Sequence, residues 1–186
     1  IGSYFSVHSV ALIGRALQIA DQKLAGMTRY DGTPLVMHSV NTAHIVISEI
    51  GLGRNSTIST ILHDVVRMGM MKIEEAGALF GEECIPILKG LCNISDVNTK
   101  ESEEQADNFR DLIVSYSTDP RVILIKLADR LEVMRTRGMF PDDKRRKKSW
   151  ESLNLYAQIA HKLGLYSIKS ELEDIALSHL EPKDYR

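Results

Sequence analysis

Four side chains in this sequence could share a metal ion, and they come from three separate segments: His38, the adjacent pair His63 and Asp64, and Asp129. Apolar residues flank each segment, so we expect all three to be drawn into the interior. Two imidazoles and two carboxylates form a mixed nitrogen and oxygen ligand set, which suits Mn, Fe or Zn rather than a structural thiolate zinc site. The simpler interpretation of His63 and Asp64 is a hydrogen-bonded or half-exposed polar pair, because burying either side chain unpaired is costly.

The pair His63 and Asp64 lies in the stretch at 57–68, TISTILHDVVRM, around which we expect the fold to be organised. Its apolar residues recur at helical spacing, which predicts a buried helix that ends near Gly69. A turn, DGTP at 31–34, precedes a helix predicted at 39–50 and places His38 just before that helix begins. Asp129 lies within a long apolar helix predicted at 121–134, where pairing with Arg130 or another cation is the simpler explanation.

The remaining segments also have helical periodicity, which predicts helices at 7–25, 73–80, 84–91, 103–116 and 167–180. A polar stretch at 93–105 is predicted to be a mobile loop. The basic run DDKRRKK at 142–148 is interpreted as the solvated start of a further helix rather than as a phosphate patch, because its leading acids suit the positive end of a helix. No strand is predicted, so the expected fold class is all-α with roughly eight to ten helices.

Composition indicates an ordinary globular domain, predicted as one unit over 1–186. The 25 acidic and 23 basic residues nearly cancel, so the net charge gives no reason to expect a DNA or membrane partner. The sequence contains neither a secretory signal nor an apolar run of roughly 18 residues or more. Cys84 and Cys92 lack companion ligands, which predicts reduced core residues and a cytoplasmic location.

Several longer runs give a closer resemblance, namely RYDGTPLVMHSV, LHDVV, EEQADNFR, RVILIKLADRL, MRT, YAQIAHKLGLYSIKSELEDIA and LEPKDYR. Together they resemble the N-terminal hydrolase domain of the RelA/SpoT family, the bifunctional synthetases and hydrolases of (p)ppGpp, within the HD phosphohydrolase superfamily. The resemblance covers essentially the whole chain. It implies an HD-domain helical bundle that removes the 3′-pyrophosphate of (p)ppGpp with Mn²⁺, followed in a longer chain by a synthetase domain.

The resemblance also implies roles for individual residues. The family's metal ligands match His38, His63, Asp64 and Asp129. Arg29 matches a nucleotide-contacting arginine, and Thr136 lies where the MRT run borders the guanosine pocket. A metal ion held there would polarise a phosphoryl oxygen and lower the pKa of bound water.

The sequence departs from the family pattern around this same pocket. Active members continue the central motif as His-Asp-x-x-Glu-Asp, but this chain has Arg67 and Met68 at the two acidic positions. Glu132 and Val133 replace a His-Asn pair, and Asn93 replaces a lysine. Loss of a general base is expected to cost about 10²- to 10⁴-fold in rate. We therefore predict that no catalytic acid is intact, that hydrolysis is very weak or absent, and that the domain is a regulatory scaffold.

Two alternatives are open at this point. In the first, the domain is a working Mn-dependent (p)ppGpp hydrolase in which Glu132, Asp96 or another acid of the 93–105 loop replaces the missing base. In the second, it is a structural interaction module whose site holds no ion. The degenerate site is also compatible with weak binding of Mn²⁺ or of a guanine nucleotide.

Overall fold

The computed structural model describes residues 5–95 and 118–180, and these ranges consist of helices and turns without a β-strand. The predicted all-α fold class is therefore confirmed for the described parts of the chain. The predicted helix at 103–116, and the predicted loop from 96 onward, lie outside the described residues. The described start of that loop is helical instead, because the helix that begins at Cys84 extends beyond 91.

The described residues belong to two compact units, with Ile1–Met27 and Pro34–Ala128 in the first and Thr28–Thr33 and Asp129–Arg186 in the second. Helices of the first unit are α1 (Val7–Lys23), α2 (Val36–Ile45), α3 (Arg54–Arg67), α4 (Ile73–Phe80), α5 (Cys84–Ser95) and the beginning of α6 (Pro120–Arg135). A π-helical turn, Val46–Ile50, extends α2. The assignment of 1–186 to one HD-type domain stays a prediction.

Helix α3 is the packing centre of the first unit, as the sequence predicts, and it packs against α1, α2 and α5. All of its residues from Ser56 to Val65 are buried. Apolar side chains of α1, α3 and α5 form one core cluster that includes Ile13, Leu62 and Leu88. Helix α3 ends at Arg67, and Gly69 then adopts a positive φ of 77° that lets the chain turn away. Any side chain placed on this helix between 56 and 65 must therefore find its partners in the interior.

Helix α2 begins three residues earlier than the predicted start at 39. The backbone N–H groups of Met37 and His38 donate to the carbonyls of Pro34 and Leu35, at 3.0 Å each, so the turn continues directly into the helix. His38 thus lies within the first turn of α2 and is half-buried, rather than preceding the helix.

The second unit contains the end of α6, a 3₁₀ turn (Arg137–Met139), α7 (Asp142–Glu151), a π-helical turn (Ser152–Tyr156), α8 (Ala157–Lys162) and α9 (Tyr166–Leu180). As predicted, the basic run starts a helix, with two acids in the first turn. That helix continues through the π turn into α8, and Gly164 follows with a φ of 75°. Helix α9 packs against α7, the π turn and α8. No helix among the described residues is long and apolar enough to cross a membrane.

Candidate functional site

Asp64 is a buried carboxylate in the first unit, with 8% of its surface exposed, and both of its oxygens accept hydrogen bonds. Ser39, on the neighbouring helix α2, donates its hydroxyl to Oδ2 at 3.4 Å. Arg67 donates to Oδ1 from Nε at 3.3 Å and from Nη2 at 3.1 Å. The predicted metal ligand is therefore held by a hydroxyl on one side and a guanidinium on the other.

Arg67 reaches Asp64 because the two residues are three positions apart on α3 and lie on the same side of the helix. Its side chain is 40% exposed, and it lines an open cleft together with Lys72 and Glu74 of the first unit. Met68, the next residue, is 38% exposed at the end of α3. The two positions at which the resemblance leads us to expect acids therefore carry a cation bound to Asp64 and an uncharged side chain.

These contacts do not fit a divalent ion at Asp64. The guanidinium bonds to Oδ1 and places a positive charge directly beside the carboxylate, which opposes the approach of a cation. Within either unit, the described His, Cys, Asp and Glu side chains form no group of three arranged for a metal. The four-residue ligand set stays a prediction from the sequence, since His38, His63 and Asp64 belong to the first unit and Asp129 to the second.

The second unit contains a buried ion pair between Arg29 and Glu132. Two parallel hydrogen bonds join them, Nη1 to Oε1 at 2.6 Å and Nη2 to Oε2 at 3.0 Å, and the side chains are only 7% and 3% exposed. Nη2 also donates to Oγ1 of Thr136 at 3.0 Å. The structure thus brings together Arg29 and Thr136, the two predicted substrate-contacting residues, and joins both to Glu132, where the resemblance leads us to expect a histidine.

Tyr30, the residue after Arg29, also anchors this turn within the second unit. The ring of Tyr30 packs against Phe140 with centroids 5.4 Å apart, and Lys144 donates to the Tyr30 hydroxyl. Within the turn, the Arg29 N–H donates to the Thr33 carbonyl at 2.8 Å. Arg29 therefore extends from an anchored turn, and its guanidinium pairs with the Glu132 carboxylate.

Asp129, the fourth predicted ligand, begins the second unit and is half-buried. Burial and the nearby Arg130 guanidinium lower the pKa of the Lys148 ammonium group to about 8, and Asp129 acts against this shift. Burial raises the pKa of the Tyr156 hydroxyl, and the Asp129 carboxylate adds to that increase. Arg130, which the simpler explanation paired with Asp129, forms a 2.8 Å ion pair with Glu151 and lies 4.5 Å above the Tyr156 ring.

Sequence reasoning missed the contacts of Ser39 and Glu132 and the electrostatic influence of Asp129 on Lys148. The signal for Glu132 was present, because an acid within the apolar run LADRLEVM must find a cation if the helix is buried. Ser39 and Lys148 had no such signal, since serine and lysine are ordinary on exposed helix faces. Neither Cys84 nor Cys92 forms a disulfide; Cys92 is half-buried, and burial raises the pKa of the Cys84 thiol, as expected for a reduced core cysteine.

Comparison with known proteins identifies the family. A family model described as an HD domain matches residues 16–166, which is most of the chain. The chain belongs to the HD domain family. A solved structure, described as a metazoan ortholog of SpoT that hydrolyses ppGpp, aligns with a TM-score of 0.68 over 89% of this chain and 93% of that one, at 21% identity. At that identity the match supports the HD-domain fold alone.

This HD domain is also similar to curated proteins whose names describe (p)ppGpp metabolism. A guanosine-3′,5′-bis(diphosphate) 3′-pyrophosphohydrolase of Aquifex aeolicus is 38% identical over 173 residues, which cover 93% of this chain and 24% of that protein. The bifunctional (p)ppGpp synthase/hydrolase SpoT of Escherichia coli K12 is 34% identical over 187 residues, covering 100% of this chain and 26% of that protein. This HD domain thus spans about a quarter of the length of these relatives. The predicted resemblance to the RelA/SpoT-type HD domain is confirmed.

Proposed function

We propose that this HD domain is the hydrolase-like domain of a cytoplasmic (p)ppGpp-metabolising protein, that it hydrolyses (p)ppGpp very weakly or not at all, and that it serves as a regulatory scaffold for an attached synthetase domain. The relatives support the nucleotide class, because their names describe synthesis of (p)ppGpp and 3′-pyrophosphohydrolysis of guanosine-3′,5′-bis(diphosphate). The loss of hydrolysis is argued from the residues of this chain.

The observation that carries the proposal is that Arg67, bound to Asp64, and Met68 occupy the two positions at which the resemblance leads us to expect acids. Attack by water on a phosphoryl group needs a base to take the water proton, which contributes about 10²- to 10⁴-fold in rate. Arginine stays protonated at physiological pH and cannot act as that base. The side chain of Met68 has no titratable group, so neither position supplies the base that takes the water proton.

The Arg29 contacts add a second, independent argument, because nucleotide phosphates are bound by free guanidinium donors. Here the Arg29 fork already makes two hydrogen bonds to Glu132 and one to Thr136, and its side chain is 7% exposed. A polyphosphate would have to displace a buried carboxylate to gain the same contacts. Binding of (p)ppGpp at this arginine is therefore expected to be weak.

The same ion pair argues against an active enzyme with a substituted base. Glu132 is the described acid that the sequence offers for that role, but its carboxylate accepts two charged hydrogen bonds from Arg29. Both oxygens that would have to accept a proton from water are therefore already bonded to the guanidinium. Asp96, the other candidate, lies outside the described residues.

Hydrolysis is tested by incubating the purified chain with Mn²⁺ and ppGpp and following pyrophosphate release, with the Aquifex aeolicus relative as the positive control. We expect a rate at least about a hundredfold below that control. The combined variant Arg67→Glu, Met68→Asp, Glu132→His and Val133→Asn restores the family residue at four of the five departing positions and is expected to gain activity. Arg15→Glu, an equal charge change at an exposed position of α1, is expected to gain none. Turnover of the unmodified chain near that of the relative would contradict the proposal.

The regulatory role is tested in the full-length protein. Replacing both Arg29 and Glu132 by apolar residues alters this HD domain without touching a synthetase domain. We expect the rate of (p)ppGpp synthesis from GTP and ATP to change, whereas hydrolysis stays at its low level. Synthesis that is unaffected by this change and by deletion of the whole domain would contradict the scaffold role.

A further inference from the structure

We infer that the guanidinium of Arg67 is the resident counter-ion of Asp64, so that this HD domain is stable without a divalent ion and binds Mn²⁺ poorly because Arg67 takes its place. The inference deepens the proposed function and rests on it for the choice of metal. It concerns the charge that compensates Asp64 and not the rate of hydrolysis, so it can be wrong even if the proposed loss of hydrolysis is right.

The buried carboxylate is the starting point. Asp64 is 8% exposed on a helix that is buried along most of its length, and an isolated carboxylate there is costly. In a metal site the ion supplies the compensating charge. Here Arg67 supplies a full positive charge through two hydrogen bonds to Oδ1, and the Ser39 hydroxyl satisfies Oδ2. The positive charge that a metal ion would bring to Asp64 is therefore already supplied by Arg67.

The position of Arg67 makes this contact local. The two residues are separated by three positions on one helix, so the pair forms whenever α3 forms and needs no movement of another element. Arg67 also lies in the last turn of α3, where a positive charge interacts favourably with the negative end of the helix dipole. Two separate electrostatic terms therefore hold the guanidinium beside Asp64.

A divalent ion could bind Asp64 only by displacing or approaching this guanidinium. Approach places like charges within a few ångströms of each other, which weakens binding strongly at a partly buried site. Displacement gives up the hydrogen bonds to Oδ1. Both routes lower the affinity for Mn²⁺, whether or not the other predicted ligands are present.

The test measures Mn²⁺ binding and thermal stability in the unmodified chain, in Arg67→Gln and in the matched control Arg15→Gln. Arg15 is an exposed arginine of α1 in the same unit, so the control removes the same charge away from Asp64. We expect the melting temperature of the unmodified chain and of Arg15→Gln to be the same in Mn²⁺ and in a chelator. In the chelator, Arg67→Gln is expected to have a lower melting temperature than the unmodified chain, and Mn²⁺ is expected to raise that temperature. Calorimetry is expected to show that Arg67→Gln binds Mn²⁺ at least about tenfold more tightly than the unmodified chain does.

The unmodified chain alone already decides the matter if Arg67→Gln fails to fold. Electron paramagnetic resonance reports free and bound Mn²⁺ directly, and we expect no stoichiometric bound ion at micromolar Mn²⁺. Stoichiometric Mn²⁺ that stabilises the unmodified chain would overturn the inference, and so would equal Mn²⁺ affinities in the unmodified chain and a folded Arg67→Gln. Weak hydrolysis together with tight Mn²⁺ binding would overturn this inference while leaving the proposed loss of hydrolysis intact.

Discussion

The buried pair between Arg29 and Glu132 allows a quantitative prediction about stability. The side chains are 7% and 3% exposed, and bonds of 2.6 and 3.0 Å join their charged ends. Removing one partner of such a pair leaves the other charge buried without compensation, which typically costs about 3–5 kcal/mol. Glu132→Ala should therefore lower the free energy of unfolding by about 3–5 kcal/mol, a large share of the roughly 5–15 kcal/mol that holds a domain together.

A double-mutant cycle separates the pair from the other contacts of Glu132. The four proteins are the unmodified chain, Glu132→Leu, Arg29→Met and the double variant, each unfolded in urea and followed by far-ultraviolet circular dichroism. The double variant removes both charges and should be much more stable than the sum of the two single losses predicts, because replacing a buried pair by apolar side chains is often nearly neutral. A loss below about 1 kcal/mol in Glu132→Ala, as for an exposed ion pair, would refute the argument that burial makes this contact strong.

The other predictions concern a helix cap and two glycines of the first unit, and urea unfolding measures all of them. Asp119 precedes α6 and accepts the N–H of Arg121 at 3.0 Å, so Asp119→Ala should cost about 1 kcal/mol near neutral pH. The side-chain hydrogen bond from Arg121 lowers the pKa of Asp119 below 3.8, so the folded state binds fewer protons. The cap contribution is therefore complete above pH 3.8 and disappears as the pH falls through the folded pKa, where variant and unmodified chain should converge. A Cβ at Gly90 would lie 2.6 Å from Val122, so Gly90→Ala should cost about 1–3 kcal/mol. Gly14→Ala meets open space within α1 and should instead add about 0.5–1 kcal/mol; destabilisation there would contradict the packing argument.

The sequence by itself determined most of the helical architecture. Helix α4 begins and ends at the predicted residues, and α3 is the buried helix that its apolar spacing indicates. These predictions succeed because helix formation and burial follow from the spacing of apolar residues along one short segment. The sequence also located the departures at Arg67, Met68 and Glu132, since a substitution within a motif is visible without coordinates.

Only the tertiary structure decided the partner of Glu132 and the second partner of Asp64. Arg29 and Glu132 are 103 positions apart in the chain, and nothing in either local pattern specifies that they meet. Ser39 reaches Asp64 because α2 packs on α3. A buried charge requires a partner, but the packing of the chain selects which one, and here it joined Glu132 to Arg29, a residue predicted to contact the nucleotide.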